Sequence, residues 1–135
     1  MKAEPVALDT GAFALHFENN SQVREIINAI LSKSLEAHTC ELNLAEHYYK
    51  TCEKKGRDIA EITNAAIRRI SINIHVPDEP LSIDAGRLKC KHRGKLSIVD
   101  SYILAVSKRY NCRLITTDSV LKEINLVPTT LLKIP

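Results

Sequence analysis

The sequence predicts an α/β domain built on a mainly parallel sheet. Short apolar runs of strand length alternate with stretches of helical periodicity along the whole chain. The 135 residues, 44% of them hydrophobic, suffice for one domain with its own core. No repeat, low-complexity tract or Pro-, Gly- or Ser-rich linker divides the chain, so residues 1–135 are expected to form a single domain.

Taken in order, residues 5–8 form a short apolar run ending at Asp9 and read as a strand. Ser21 is placed to cap a helix whose apolar face is Val23, Ile26, Ile27, Ile30 and Leu31. A short strand is expected near residues 36–39. Asn43 then opens a helix carrying Leu44, Ala45, Tyr48, Tyr49 and Cys52, which Gly56 ends. Asp58 is placed to cap the next, with Ile59, Ile62, Ala66 and Ile70 on one face. Ile72, Ile74 and Val76 alternate as in a strand, and Pro77 and Pro80 interrupt the chain. Helices are expected over residues 81–92 and 98–110, the second with Val99, Tyr102, Ile103, Val106 and Tyr110 on one stripe. A strand at residues 113–117, a short helix at 120–124 and a last strand at 131–134 complete the pattern.

Composition excludes several classes. At 26% charged residues the chain is not a disordered one. No apolar run approaches the roughly 18 residues of a membrane span, and the opening MKAEPVALD does not read as a secretory signal. No membrane association and a cytoplasmic location are expected. Cys40, Cys52, Cys90 and Cys112 form no C-x-x-C pair and match no zinc spacing, so they read as scattered reduced thiols. The five histidines show no i, i+4 pair, which speaks against a zinc hydrolase. Phosphate-cradling glycine motifs are absent. A net charge of +3 alone says nothing about nucleic acid.

In a parallel α/β fold, ligands bind at the carboxyl ends of the strands, where the helix N-termini also lie. Four acids map to that edge. Asp9 and Asp118 end apolar strands, while Glu46 and Asp100 sit in the first turns of the helices opened by Asn43 and Ser97. Each has a structural explanation too. Asn43-x-x-Glu46 and Ser97-x-x-Asp100 fit capping boxes, Asp118 fits a helix cap, and Asp9 fits a turn. Together they point to a site, because clustered carboxylates repel and either take up protons or bind a cation. All-oxygen ligation favours magnesium or manganese, and such an ion activates water for attack on a phosphodiester. Asp9, Asp100 and Asp118 are the expected metal holders. Glu46 is either a further ligand or the group that orients the attacking water.

Arg87, Lys89, Lys91, Arg93 and Lys95 follow one another without an intervening acid and run into Ser97. They read as an RNA-binding rim or as a solvated helix face. Lys54, Lys55 and Arg57 form a lesser basic stretch. Aromatic residues make up only 4%, which lends no support to base stacking.

The stretch LSIVDSYILAVSKRYNCRLITTD (residues 96–118) resembles the C-terminal signature of PIN domains, especially VapC-like toxins. VALDTGAFAL (6–15) is similar to the family's first strand and first aspartate, and LNLAEHYY (42–49) to its glutamate-bearing helix. AGRLKCKHRGKLS (85–97) is similar to the helix leading into the second motif. The resemblance covers nearly the whole chain. It departs at Gly11, where many relatives carry serine or asparagine, and after Asp118, where Ser119 and Val120 replace a further acid. The resemblance implies a Rossmann-like three-layer α/β/α sandwich, often dimeric, with Asp9, Glu46, Asp100 and Asp118 as the metal-binding acids and Thr10 and Thr117 as auxiliary polar groups. It implies a divalent-metal-dependent endoribonuclease acting on RNA, and in the toxin branch a small antitoxin that covers the site. Two other readings stand beside this one: a cellular RNA-processing nuclease without antitoxin, and a non-catalytic RNA- or protein-binding module on the same fold. A receiver domain would need adjacent acids after the first strand, and a haloacid-dehalogenase-type phosphatase an acid at position 11. Neither pattern is present.

Overall fold

The computed structural model describes residues 2–135. Five strands, β1 (Glu4–Leu8), β2 (Leu35–Cys40), β3 (Ile72–His75), β4 (Arg113–Thr116) and β5 (Thr129–Leu131), pair in the order β3-β2-β1-β4-β5. Every pairing is parallel, so the expected mainly parallel sheet is wholly so. Parallel strands need long crossovers, and helices supply them. These are α1 (Thr10–Phe17), α2 (Ser21–Leu31), α3 (Glu41–Lys55), α4 (Arg57–Arg69), α5 (Glu79–Lys91), α6 (Ile98–Arg109) and α7 (Ser119–Ile124).

The helices cover both faces of the sheet. Strand β1 alternates its side chains between two cores, as a pleated strand must. Val6 and Leu8 pack with Phe13, Ile27, Leu44 and Ile67 on one face. Ala7 packs with Ile103, Leu104 and Leu121 on the other, where Cys40, Leu81 and Ala85 extend the layer. The result is the expected three-layer sandwich. The chain winds outward from β1 in both directions, so the sheet order reverses between β1 and β4. A crevice forms at the carboxyl ends of strands at such a reversal.

Three differences from the sequence-based expectation bear on that crevice. Helix α1 starts directly after Asp9, in a stretch whose apolar residues mark no clear stripe. Helix α3 starts at Glu41, two residues before Asn43, which shifts Glu46 into the second turn and leaves no Asn43–Glu46 capping box. Strand β5 runs over Thr129–Leu131 rather than 131–134, because its partner β4 fixes the register through Leu114 opposite Thr129.

Elsewhere the local signals hold with small shifts, except at Asp58, which lies inside the first turn of α4 and does not cap it: Gly56 is the N-cap, without a side-chain bond. Asn20 rather than Ser21 caps α2, through Val23 N–H. Helix α5, capped by Asp78, starts two residues before the expected position, and Pro80 falls in the first turn, where its missing N–H costs nothing. Gly56 ends α3 with a positive φ and leads straight into α4. All four cysteines are free thiols. Among the described residues, no helix is long and apolar enough to cross a membrane.

Candidate active site

The four predicted acids, Asp9, Glu46, Asp100 and Asp118, line one open cavity of about 620 Å³ at the carboxyl edge of the sheet. Thr10 and Thr117 line it with them. Three of the acids also serve in helix caps, so the structural reading of Asp100 and Asp118 holds and Asp9 joins them. Asp9 is the N-cap of α1, Asp118 is the N-cap of α7, and Asp100 closes a capping box with Ser97. Capping is what aims them, because a helix N-terminus at this edge pulls each carboxylate toward it.

Asp9 is the best-held of the four and is only 5% exposed. Its Oδ1 accepts from Thr10 N–H at 2.8 Å and from Asn43 Nδ2 at 3.1 Å, and its Oδ2 accepts from the Thr116 hydroxyl at 2.6 Å. Burial pushes its pKa up to about 6, and repulsion from Asp100 and Glu46 adds to the rise while the hydrogen bonds oppose it. Asp100 is raised as well, first by burial and then by Asp118 and Glu46. Asp9 and Asp100 thus both feel neighbouring negative charge. Glu46 makes no cap, and its nearest cation is Lys50 Nζ at 3.9 Å.

Sequence reasoning missed two polar residues here. Asn43, fully buried, donates to both Asp9 Oδ1 and Thr10 Oγ1, each at 3.1 Å. Thr116 donates to Asp9 and accepts from Asp118 N–H at 3.0 Å, bridging the two strand-end positions. Thr117 has another place, against Gly11. A Cβ on residue 11 would stand 2.1 Å from Thr117 Oγ1, so the glycine that departs from the family pattern makes room for the threonine. The alternation of a strand end was the available signal, since it separates Thr116 from Thr117.

The predicted basic rim is not in this cavity. None of Arg87, Lys89, Lys91, Arg93 and Lys95 lines it. Arg87 and Lys91 line a separate cavity of about 490 Å³ with Lys108 and Arg109, and Lys89 Nζ donates to Leu96 O at 2.8 Å. The acid cavity has cations of its own in Lys50, Lys54 and Lys55 of α3.

Among the described residues, no three Asp, Glu, His or Cys side chains stand close enough to cage a metal ion. The groups the cavity presents are carboxylates and hydroxyls, a donor chemistry for hard cations. It fits an ion that keeps several waters and takes few protein ligands directly, as magnesium does.

A family model described as PIN domain matches residues 6–126. Among solved structures, the chain is similar to VapBC2 from Rickettsia felis bound to a DNA fragment from their promoter, with a TM-score of 0.77 and 15% identity, covering 94% of this chain and 98% of that one. It is similar to VapC20 of Mycobacterium tuberculosis, a sarcin-ricin loop cleaving toxin, with a TM-score of 0.72 and 17% identity over 90% and 96% of the two chains. A toxin–antitoxin complex from Klebsiella pneumoniae matches with a TM-score of 0.62 and 15% identity over 84% and 87%. No curated protein matches the chain.

Proposed function

The chain belongs to the PIN-domain family, and from that premise we propose that it is a magnesium- or manganese-dependent endoribonuclease, the toxin of a type II toxin–antitoxin pair. The observation that carries the reading is the meeting of Asp9, Glu46, Asp100 and Asp118 in one cavity, with Asp9 buried and raised to about 6. A buried carboxylate such as Asp9, with other acids repelling it, is costly to keep charged unless a cation relieves it.

In this proposal Asp9, Asp100 and Asp118 are the residues that would hold the ion. Asn43, Thr10 and Thr116 fix the Asp9 carboxylate by their hydrogen bonds. When bound, the divalent ion supplies an acidified water and stabilises charge on the phosphodiester. Glu46, the one acid of the four without a capping role, orients the attacking water and accepts its proton. The water oxygen bonds to phosphorus, one phosphoester bond breaks, and the departing oxygen takes up a proton.

The toxin assignment extends to this chain what its structural relatives are: a VapC toxin and a toxin–antitoxin complex. With it come a small antitoxin partner, a homodimer and a cytoplasmic site of action.

The test is cleavage of mixed RNA by the purified protein with magnesium or manganese and with chelator, alongside Asp9→Asn and Asp100→Asn. Metal-dependent cleavage lost in both variants is the expected result. Cleavage that survives the substitutions overturns the site, and the absence of both cleavage and metal binding overturns the nuclease reading. Growth arrest on expression, relieved by a small neighbouring antitoxin gene, is the expected mark of the toxin role.

A further inference from the structure

We infer that Lys50, Lys54 and Lys55 of α3, with Phe17 of α1, form a backbone track for single-stranded RNA that leads its phosphates to the carboxylates. The inference rests on the proposed nuclease function and names the part of the groove that holds the substrate.

Glu46, Lys50 and Lys54 follow one another at single-turn spacing along α3 and line the same cavity. Four residues of helix advance about 6 Å, so the face changes from acidic to basic within one turn and stays basic through the next. Lys55 joins it beside Lys54. A polyanion entering an acidic centre meets repulsion there, and cations just outside it are what offset that repulsion.

These lysines are also available. Among the described residues, Lys54 and Lys55 are in no ion pair, and Lys50 has only the 3.9 Å contact with Glu46. Three arginines elsewhere are committed: Arg68 to Glu41, Arg109 to Asp78 and Arg113 to Glu4, each at 3.0 Å or less. Lys89 and Lys122 donate to backbone carbonyls.

The lining of the cavity is apolar in part. Phe17 lies half-buried against the buried ring of His47, with centroids 5.6 Å apart, and both line the cavity together with Ile59. Cations along a backbone path beside an aromatic face are the equipment of single-strand binding. A chain with few aromatics thus places one of its two phenylalanines in the groove.

The experiment measures affinity for a short labelled single-stranded RNA by fluorescence anisotropy in magnesium, across a salt series. Asp100→Asn is carried in every sample to halt cleavage. Lys50→Gln/Lys54→Gln/Lys55→Gln is compared with Arg87→Gln/Lys91→Gln/Arg93→Gln. All three groove lysines are exposed, and thermal unfolding checks that the fold is kept. The groove triple is expected to weaken binding by about tenfold or more and to flatten the log-affinity against log-salt slope by about 2, as loss of three phosphate contacts to a single strand requires. Phe17→Leu is expected to weaken binding with the slope unchanged.

Parent-like affinity and slope in the groove triple, or a loss seen only in the 87/91/93 triple, would overturn the track while metal-dependent cleavage still upheld the nuclease. Tight binding of a polyglutamate peptide without RNA binding would assign the lysines to an acidic protein segment and overturn the track. A parent protein that neither binds nor cleaves RNA would overturn the nuclease function and the track together.

Discussion

The Thr116 hydroxyl donates to Asp9 Oδ2 at 2.6 Å, across the reversal point between β1 and β4. Thr116 Oγ1 also accepts from Asp118 N–H, so one side chain ties together the two strand ends that carry acids. Thr116→Val keeps the shape and removes both bonds. It is expected to cost about 1–3 kcal/mol, the range for stranding a buried polar partner, and to raise the Asp9 pKa further. Thr117→Val is expected to leave the Asp9 titration unchanged. Carboxyl-carbon NMR titration of the two variants checks the contrast, and equal shifts in both would contradict it.

Asp9 makes stability depend on pH in a defined direction. Burial, then repulsion by Asp100 and Glu46, raises it from 3.8 to about 6. Between those values the folded protein holds a proton that the unfolded chain has released. Stability therefore falls as pH rises through this window, and the loss is complete above it. A shift of this size corresponds to about 3 kcal/mol at most. Asp9→Asn is expected to flatten that fall and to be the more stable protein at neutral pH. Denaturant unfolding across the window tests this; parallel curves for the two proteins would show that the carboxylate carries no such penalty.

Relief by a cation is the counterpart. Magnesium at ten times its dissociation constant should stabilise the fold by about 1.4 kcal/mol. The rise in melting temperature is expected to shrink in Asp100→Asn, which removes one proposed ligand. A melting temperature indifferent to magnesium and manganese in the parent protein would count against the metal.

Gly11 and Thr117 should behave as a pair. Gly11→Ala puts a methyl group 2.1 Å from Thr117 Oγ1 and is expected to cost about 1–3 kcal/mol, the usual penalty of overpacking. Thr117→Ala removes the colliding atoms, so most of that cost should vanish in the double variant. A double-mutant cycle by denaturant unfolding measures the coupling, and additive losses would mean that Thr117 simply rotates away.

How much of this was legible beforehand follows from the range of each signal. Helix caps and strand alternation act over a few neighbouring residues. Ser97 and Asp100 were therefore readable as a capping box and Asp118 as a cap, and each is so. The alternation of strands and helices pointed to the parallel sandwich, and with it to the edge where Asp9, Glu46, Asp100 and Asp118 line one cavity.

Asn43 shows where local reading stops. By pattern it is a cap; in the fold it lies inside α3 and donates to Asp9 and Thr10, more than thirty residues away in sequence. Its role depends on where α3 begins, and that follows from β2 running on to Cys40 against β3. The basic residues divide in the same way. A run of charge at residues 87–95 is conspicuous in sequence, yet the cations in the acid cavity are Lys50, Lys54 and Lys55. They are there because packing against α4 sets which side of α3 faces the groove. The sequence by itself determined the fold class, the family motifs and the acids, through signals carried by a handful of adjacent residues. Only the tertiary structure decided which hydroxyl holds Asp9, why residue 11 is glycine and which lysines line the groove, because those contacts join segments whose relative placement no local pattern encodes.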